Sequence, residues 1–363
     1  MSVSRRNRPL RLAVYSDATE IGGAEHSLAN LVGALRPDIE VTVVGVDEAI
    51  VSRIADARPG CSTLVVPPVR NKFDLRPILA HVRALRRLKP DVFHANLRQP
   101  WSCQYGIAAA LLTPGTRVVA VEQLPVAPSG GFQRRLKRAT SRRLAAHVAV
   151  GTRSARALES MIGLEQGSIR TIYNGIADVE IPSIPRSVPG TLVVAVGRLS
   201  RQKGFDVLLR ALAGLPGVSL LLIGDGPRRS ELEQLRDELE LGERVQMIGW
   251  VDDARPYLGA ADLLAVPSRW EAFPLVIPEA MLAGLPVVAA KVGSIDEAVR
   301  DGETGLLVEP DDAEALASAL ERLAGDPELR AAMGRRGREI AREHLTAARM
   351  AAAFESLYEE ILD

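Results

Sequence analysis

Two cysteines in 363 residues, Cys61 and Cys103, are too few for a disulfide framework. They read as small buried hydrophobes of a chain kept in a reducing cytoplasm. There is no net charge. The 45 basic side chains are balanced by 45 acidic ones, which excludes a uniformly cationic, nucleic-acid-binding surface. Lysine is scarce and supplies only 5 of the 45 cations. Long apolar runs are missing too. Nothing approaches the roughly 18–20 residues needed to cross a bilayer. The opening MSVSRRNRPLRLAVYSDA is basic, but its apolar run is short and meets Asp17, so no targeting signal is expected.

What is present is a soluble globular composition, 47% hydrophobic and 25% charged, long enough for two domains with their own cores. The neutral total hides an asymmetry. Residues 1–180 hold 25 basic and 15 acidic side chains, and residues 181–363 hold 20 and 30. A basic half joined to an acidic half suggests two tasks.

Short β-branched runs alternate with longer helical patterns. Strands are expected at 10–15, 41–46, 63–66, 92–94, 117–121, 148–150 and 171–173, with helices such as 24–35, 77–88 and 133–144 between them. Near-continuous apolar strands separated by helices predict a parallel, doubly wound sheet. Residues 177–190 break the pattern with Pro182, Pro185, Pro189 and Gly190 and read as a linker. A second series follows, with strands at 192–196, 219–223, 245–248, 263–266, 287–290 and 306–308 and a helical tail from 312. The expectation is an α/β chain of two Rossmann-like domains facing across a cleft. The first is 1–180, the second is 181–345, and a terminal helix at 346–363 returns to the first.

Ligands of such sheets bind beyond the carboxyl ends of strands, and the motifs fall there. Gly22-Gly23-Ala24-Glu25 follows the first strand. Its glycines allow close backbone approach and its helix start favours anions, although a plain strand-to-helix turn accounts for it equally. Gly197-Arg198-Leu199-Ser200-Arg201-Gln202-Lys203-Gly204 places two cations near one strand end, suited to a diphosphate or simply to solvent. Glu271 and Glu279 are separated by seven residues, the first in a loop and the second on the following helix. Ionised carboxylates there are natural acceptors for sugar and ribose hydroxyls.

Together these motifs resemble the retaining glycosyltransferases of family 4, which have the GT-B fold. The resemblance also rests on DVFHAN at 91–96, YNGI at 173–176, IGDGP at 223–227, IGWV at 248–251 and EAFPLVIPEAMLAGLPVV at 271–288. It implies roles residue by residue. Glu279 would hold the donor ribose, Glu271 the transferred sugar, and Arg198 and Lys203 the diphosphate. Gly197, Phe273, Leu275 and Val276 would lie along the sugar and distal phosphate, and Ile248 and Val251 at the base. Gly23 would close over the phosphate, and His94 would touch the sugar near its reacting carbon. Gly22, Glu25, Asn96 and Glu122 are expected on the acceptor side. Asp225 is expected to order a turn, Tyr173-Asn174-Gly175 to form the interdomain turn, where Asn and Gly tolerate positive φ, and His26, His147 and His344 to be structural.

The implied reaction moves a hexose-type sugar from a UDP- or GDP-linked donor to a hydroxyl of a glycan, lipid or small molecule, with retention. No cofactor and no metal are implied. No Asp-x-Asp pair occurs, and Asp252-Asp253 reads as a helix N-cap. A nucleotide-sugar epimerase on a similar fold and a non-catalytic sugar-nucleotide-binding protein are the alternatives. The intact Arg198, Lys203, Glu271 and Glu279 set argues against both. Six cations in residues 134–143, with Phe132, Leu136 and Leu144 among or beside them, suggest a peripheral contact with an anionic membrane, or a solvated basic helix face.

Overall fold

The structure, a computed structural model, describes residues 8–71, 73–186, 188 and 190–363. The linker residue Pro189 and the first seven residues of the basic opening lie outside the described residues. The chain divides into two compact units. One comprises Met1–Ala177 with Ala347–Asp363, and the other Asp178–Thr346.

The first unit runs β1 (Arg11–Ser16), α1 (Gly23–Ala34), β2 (Glu40–Gly45), α2 (Glu48–Ala55), β3 (Ser62–Val65), α3 (Leu75–Leu88), β4 (Val92–Leu97), α4 (Gln104–Leu111), β5 (Arg117–Glu122), α5 (Gly131–Ser141), β6 (Ala146–Ala149), α6 (Thr152–Ile162) and β7 (Arg170–Thr171). The strands form one parallel sheet in the order β3-β2-β1-β4-β5-β6-β7. The order reverses between β1 and β4. Right-handed crossovers therefore put α1 and α2 on one face and the helices from α3 onward on the other. Side-chain alternation agrees. Phe93, Ala95 and Leu97 of β4 pack with Leu85 of α3 and Ile107 and Ala110 of α4. The second cysteine, Cys103, is buried in that cluster, while Cys61 is only half-buried; both are free thiols.

The second unit runs β8 (Thr191–Val196), α7 (Phe205–Ala213), β9 (Val218–Ile223), α8 (Arg229–Glu238), β10 (Val245–Gly249), α9 (Arg255–Ala260), β11 (Leu263–Val266), α10 (Val276–Ala283), β12 (Val287–Ala290), α11 (Ile295–Ala298), β13 (Gly305–Val308), α12 (Ala313–Gly325) and α13 (Pro327–His344). Its parallel sheet has the order β10-β9-β8-β11-β12-β13. Helix starts follow local chemistry. Asp312 and Asp326 accept backbone N–H bonds from Ala315 and Leu329 at the starts of α12 and α13, and Pro327 sits where no helical N–H is needed. The last helix, α14 (Ala347–Leu362), belongs to the first unit and packs along α1. There Arg36 meets Glu355 and Glu359.

Two local expectations are corrected. Neither Asn174 nor Gly175 has positive φ. Asn174 is instead a buried tie. Its Oδ1 accepts from Ser27 Oγ at 2.6 Å, and its Nδ2 donates to Gln123 Oε1 at 3.0 Å. The N-cap of α9 is Ala254 rather than an aspartate. Asp253 sits one residue earlier, accepting the Arg255 N–H at 3.0 Å and pairing with its guanidinium at 2.8 Å.

Candidate functional site

In the second unit the sheet order reverses between β8 and β11, the crevice position where open α/β sheets bind ligands. The loops leaving these strands carry the motif residues. Lys203 Nζ lies 2.6 Å from Glu271 Oε1, and Ser268 Oγ donates to the same oxygen at 3.1 Å. The lysine stem runs over Gly197, whose φ is +155°. A Cβ there would stand 3.0 Å from Lys203 Cε. Gly293, at φ +57°, braces the other loop from beneath. A Cβ at that position would lie 2.0 Å from the Glu271 carbonyl oxygen. Arg198 is exposed at the start of the first loop.

The two loops are laced together by residues the motifs did not single out. Arg269 straddles Asp206 with bonds of 2.9 and 2.8 Å and donates to the Arg201 carbonyl at 2.8 Å. The Arg269 N–H donates to the Gln202 carbonyl at 2.7 Å, and Gln202 Nε2 to the Trp270 carbonyl at 3.0 Å. Burial alone would raise the Asp206 carboxyl. The Arg269 bonds and charge, with Arg228 beside them, hold it at about 2 instead. The sequence signal was an arginine just before the Trp-Glu pair and an aspartate just after the Lys-Gly-Phe stretch. Nothing in spacing alone pairs residues 63 positions apart.

Helix α10 begins at Val276, directly after Leu275. In its first turn Pro278 has no N–H and the Ile277 N–H donates to the Pro274 carbonyl at 3.2 Å, so the helix start offers the β11 loop the Val276 N–H and the positive end of its dipole. Phe273 and Val276 are buried and Leu275 is half-buried. Glu279 lies in the first turn of α10, half-buried, and burial pushes its carboxyl up to about 7. The Arg255 charge opposes that rise and the Asp253 charge adds to it. At the end of β10, Ile248 and Val251 are half-buried around Trp250, which is 62% exposed. Gly249, at φ +88°, turns its carbonyl to the Gly224 N–H at 2.8 Å. Asp225 orders the neighbouring turn by accepting the Gly226 N–H at 2.7 Å.

The first-unit candidates are mostly interior. His94 is 1% exposed. It faces α14, where its Nδ1 meets the Tyr358 hydroxyl at 2.7 Å and its ring packs 5.0 Å from that of Phe354. Burial lowers its pKa to about 3, so the ring is neutral at ordinary pH. This is the setting of a satisfied core histidine. Asn96, two residues on, is also buried; it donates to the Ala24 carbonyl at 2.8 Å and accepts from Gln123 Nε2 at 2.9 Å. Glu25 turns back to accept the Gly22 N–H at 3.1 Å, an N-terminal closure of α1, and burial raises its carboxyl. A Cβ at Gly23 would meet nothing within 4 Å, so that position is open.

Glu122, expected on the acceptor side, is fully buried. It pairs with Lys137 and accepts from His147 Nε2 at 3.1 Å, and His147 Nδ1 meets Ser141 Oγ at 2.7 Å. Burial would raise the Glu122 carboxyl, but Lys137 and His147 hold it below its usual range. One of the six cations of the basic segment is therefore turned inward. Lys137 also donates to the Pro100 carbonyl at 2.8 Å and fastens α5 to the body of the unit.

Residues 21–179 match the family model described as Glycosyltransferase Family 4, and residues 180–340 match the one described as Glycosyl transferases group 1. The lipopolysaccharide core biosynthesis glycosyltransferase LpsE of Rhizobium meliloti is 38% identical over 176 residues, covering 47% of this chain and 52% of that protein. The D-inositol 3-phosphate glycosyltransferase of Mycobacterium tuberculosis is 39% identical over 217 residues, covering 55% and 43%. The matched stretches thus span about half the length of these curated relatives, or less. Among solved structures, Anabaena Alr3699/HepE in complex with UDP and glucose aligns over 96% of this chain and 98% of that one, with TM-score 0.84 at 23% identity. A glycosyltransferase from Rickettsia africae aligns over 99% and 100%, with TM-score 0.85 at 18% identity.

Proposed function

The chain belongs to the family 4-like glycosyltransferases of GT-B fold, and on that premise we propose that it moves a hexose-type sugar from a nucleotide-diphosphate donor to an acceptor hydroxyl with retention. The observation that carries the reading is the Lys203–Glu271 contact of 2.6 Å between the loops of β8 and β11, the second of which leads into α10. The carboxylate holds the ammonium in place. With donor bound, Lys203 and Arg198 meet the diphosphate, Glu271 accepts from sugar hydroxyls, and Glu279 accepts from the ribose. UDP or GDP is the expected nucleotide. The UDP and UDP-glucose bound by HepE favour testing UDP-glucose first.

The barrier lies in breaking the bond from the anomeric carbon to the phosphate oxygen as negative charge grows on the leaving diphosphate. Arg198, Lys203 and the N-terminus of α10 supply the opposing charge without a metal. The acceptor oxygen attacks from the face the diphosphate leaves, and a phosphate oxygen takes its proton. His94, neutral and bonded to Tyr358, orders the first unit from within and transfers no proton in this scheme. The acceptor is a cell-envelope glycan, a glycolipid or a natural product. The exposed arginines of α5, with Phe132 and Leu136, make a peripheral contact with an anionic cytoplasmic membrane surface. Among the described residues, no helix is long and apolar enough to cross one.

The test is donor turnover by purified protein against UDP-, GDP-, ADP- and TDP-sugars, followed by Lys203→Ala and Glu271→Ala with the best donor. Each variant should stay folded and lose roughly 10²–10³ in rate. Full activity in both would remove the site from the reaction.

A further inference from the structure

The membrane reading rests on α5 alone, yet the apolar and cationic surface of the first unit is broader. Among the described residues, eight of the eleven exposed large hydrophobic side chains belong to this unit. The unit also holds 26 of the 45 basic side chains and 17 of the 45 acidic ones. Helix α3 repeats the chemistry of α5. Leu75 and Leu79 are 65% and 48% exposed, one helical turn apart. Arg76, Arg83, Arg86 and Arg87 are exposed along the same helix, and no acidic residue occurs between Leu75 and Leu88. Helix α5 carries no acidic residue either, and there Phe132 and Leu136 are 79% and 46% exposed.

The two helices cover one face of the sheet. Leu85 of α3 packs with Phe93, Ala95 and Ala120. Glu122, two residues beyond Ala120 and so on the same side of β5, receives Lys137 of α5. With Lys137 turned inward, Phe132, Arg134, Arg135, Leu136 and Arg138 of α5 are exposed.

We infer that α3 is a second membrane-docking element, so that the first unit meets an anionic lipid surface through a two-helix platform, α3 and α5. This rests on the membrane reading of α5. The occupant is set by charge complementarity. Leucines and a phenylalanine interleaved with arginines, on two helices without a carboxylate, match an interface of acyl chains under anionic headgroups. The leucines of α3 enter the acyl boundary and the arginines along α3 and α5 lie against the headgroups.

The experiment is vesicle co-sedimentation of the full chain with phosphatidylglycerol-containing and pure phosphatidylcholine vesicles. Wild type, Leu75→Ser/Leu79→Ser and Phe132→Ser/Leu136→Ser are compared, with thermal unfolding as the check on folding. The expected result is salt-sensitive binding to the anionic vesicles alone, weakened about tenfold or more by either pair of substitutions. If wild type binds anionic vesicles and only the α5 pair weakens it, the role of α3 is overturned and the reading of α5 stands. If wild type binds neither vesicle, or both equally, the membrane reading falls and the platform with it.

Discussion

Glu279 offers the sharpest test, because its environment and its proposed task pull in opposite directions. Burial pushes its carboxyl from 4.5 up to about 7, with Asp253 adding to the rise and Arg255 opposing it. A raised folded-state pKa on an acid means that the folded protein holds the proton more tightly than the unfolded chain. Its stabilising effect is complete below the unfolded pKa and is lost as pH rises from about 4.5 through 7. The shift corresponds to roughly 3 kcal/mol at pH 8 and under about 1 kcal/mol at pH 5. Glu279→Gln mimics the protonated form, so it should stabilise the ligand-free protein at pH 8 by up to about 3 kcal/mol, and hardly at all at pH 5. Urea unfolding of both proteins at the two pH values measures this. Ribose hydroxyls, as donors, favour the ionised carboxylate. UDP-glucose affinity should therefore fall about tenfold between pH 8 and pH 6, because the ionised fraction of a group titrating near 7 falls by that much. Titration calorimetry should show proton release on binding at pH 6. A Glu279→Gln protein no more stable than wild type at pH 8, with affinity flat from pH 6 to 8, would refute the reasoning.

Two further perturbations separate positioning from packing. Arg269→Ala removes the bridge from the Trp270-Glu271 loop to Asp206 and the Arg201 carbonyl. It should lower kcat by at least about tenfold, since small misplacement of catalytic groups costs rate steeply, and Arg269→Lys should restore little of it; unchanged kcat would free the loop from this clamp. Tyr358→Phe leaves His94 Nδ1 without its hydroxyl partner and should cost about 1–3 kcal/mol in urea unfolding, with KM for the donor unchanged. A large rise in KM without loss of stability would return His94 to the donor site.

The sheets were legible because a parallel strand buried on both faces is a plain apolar run. Among the described residues, all thirteen strands overlap an expected one. The loop position of Glu271 and the helical position of Glu279 followed from strand, turn and helix signals in sequence. What the sequence did not reveal depends on which way a side chain turns. Lys137 looked like one more surface cation, but one face of α5 points it at Glu122. His94 lies at the strand position the motif suggested, yet a helix more than 250 residues away covers it with Tyr358 and Phe354. Asn174 looked like a turn residue and is a buried bridge between α1 and Gln123. Each of these is a long-range pairing, and local periodicity carries no information about it.

The central claim is sugar transfer with retention from a donor held at Lys203 and Glu271. The most direct measurement is a proton NMR time course of purified protein with UDP-glucose, reading the anomeric configuration of the first sugar product, transferred or hydrolysed. The account predicts an α product from the α-linked donor, lost in Lys203→Ala. An initial β product would contradict retention, and an unchanged rate in Lys203→Ala would contradict the site.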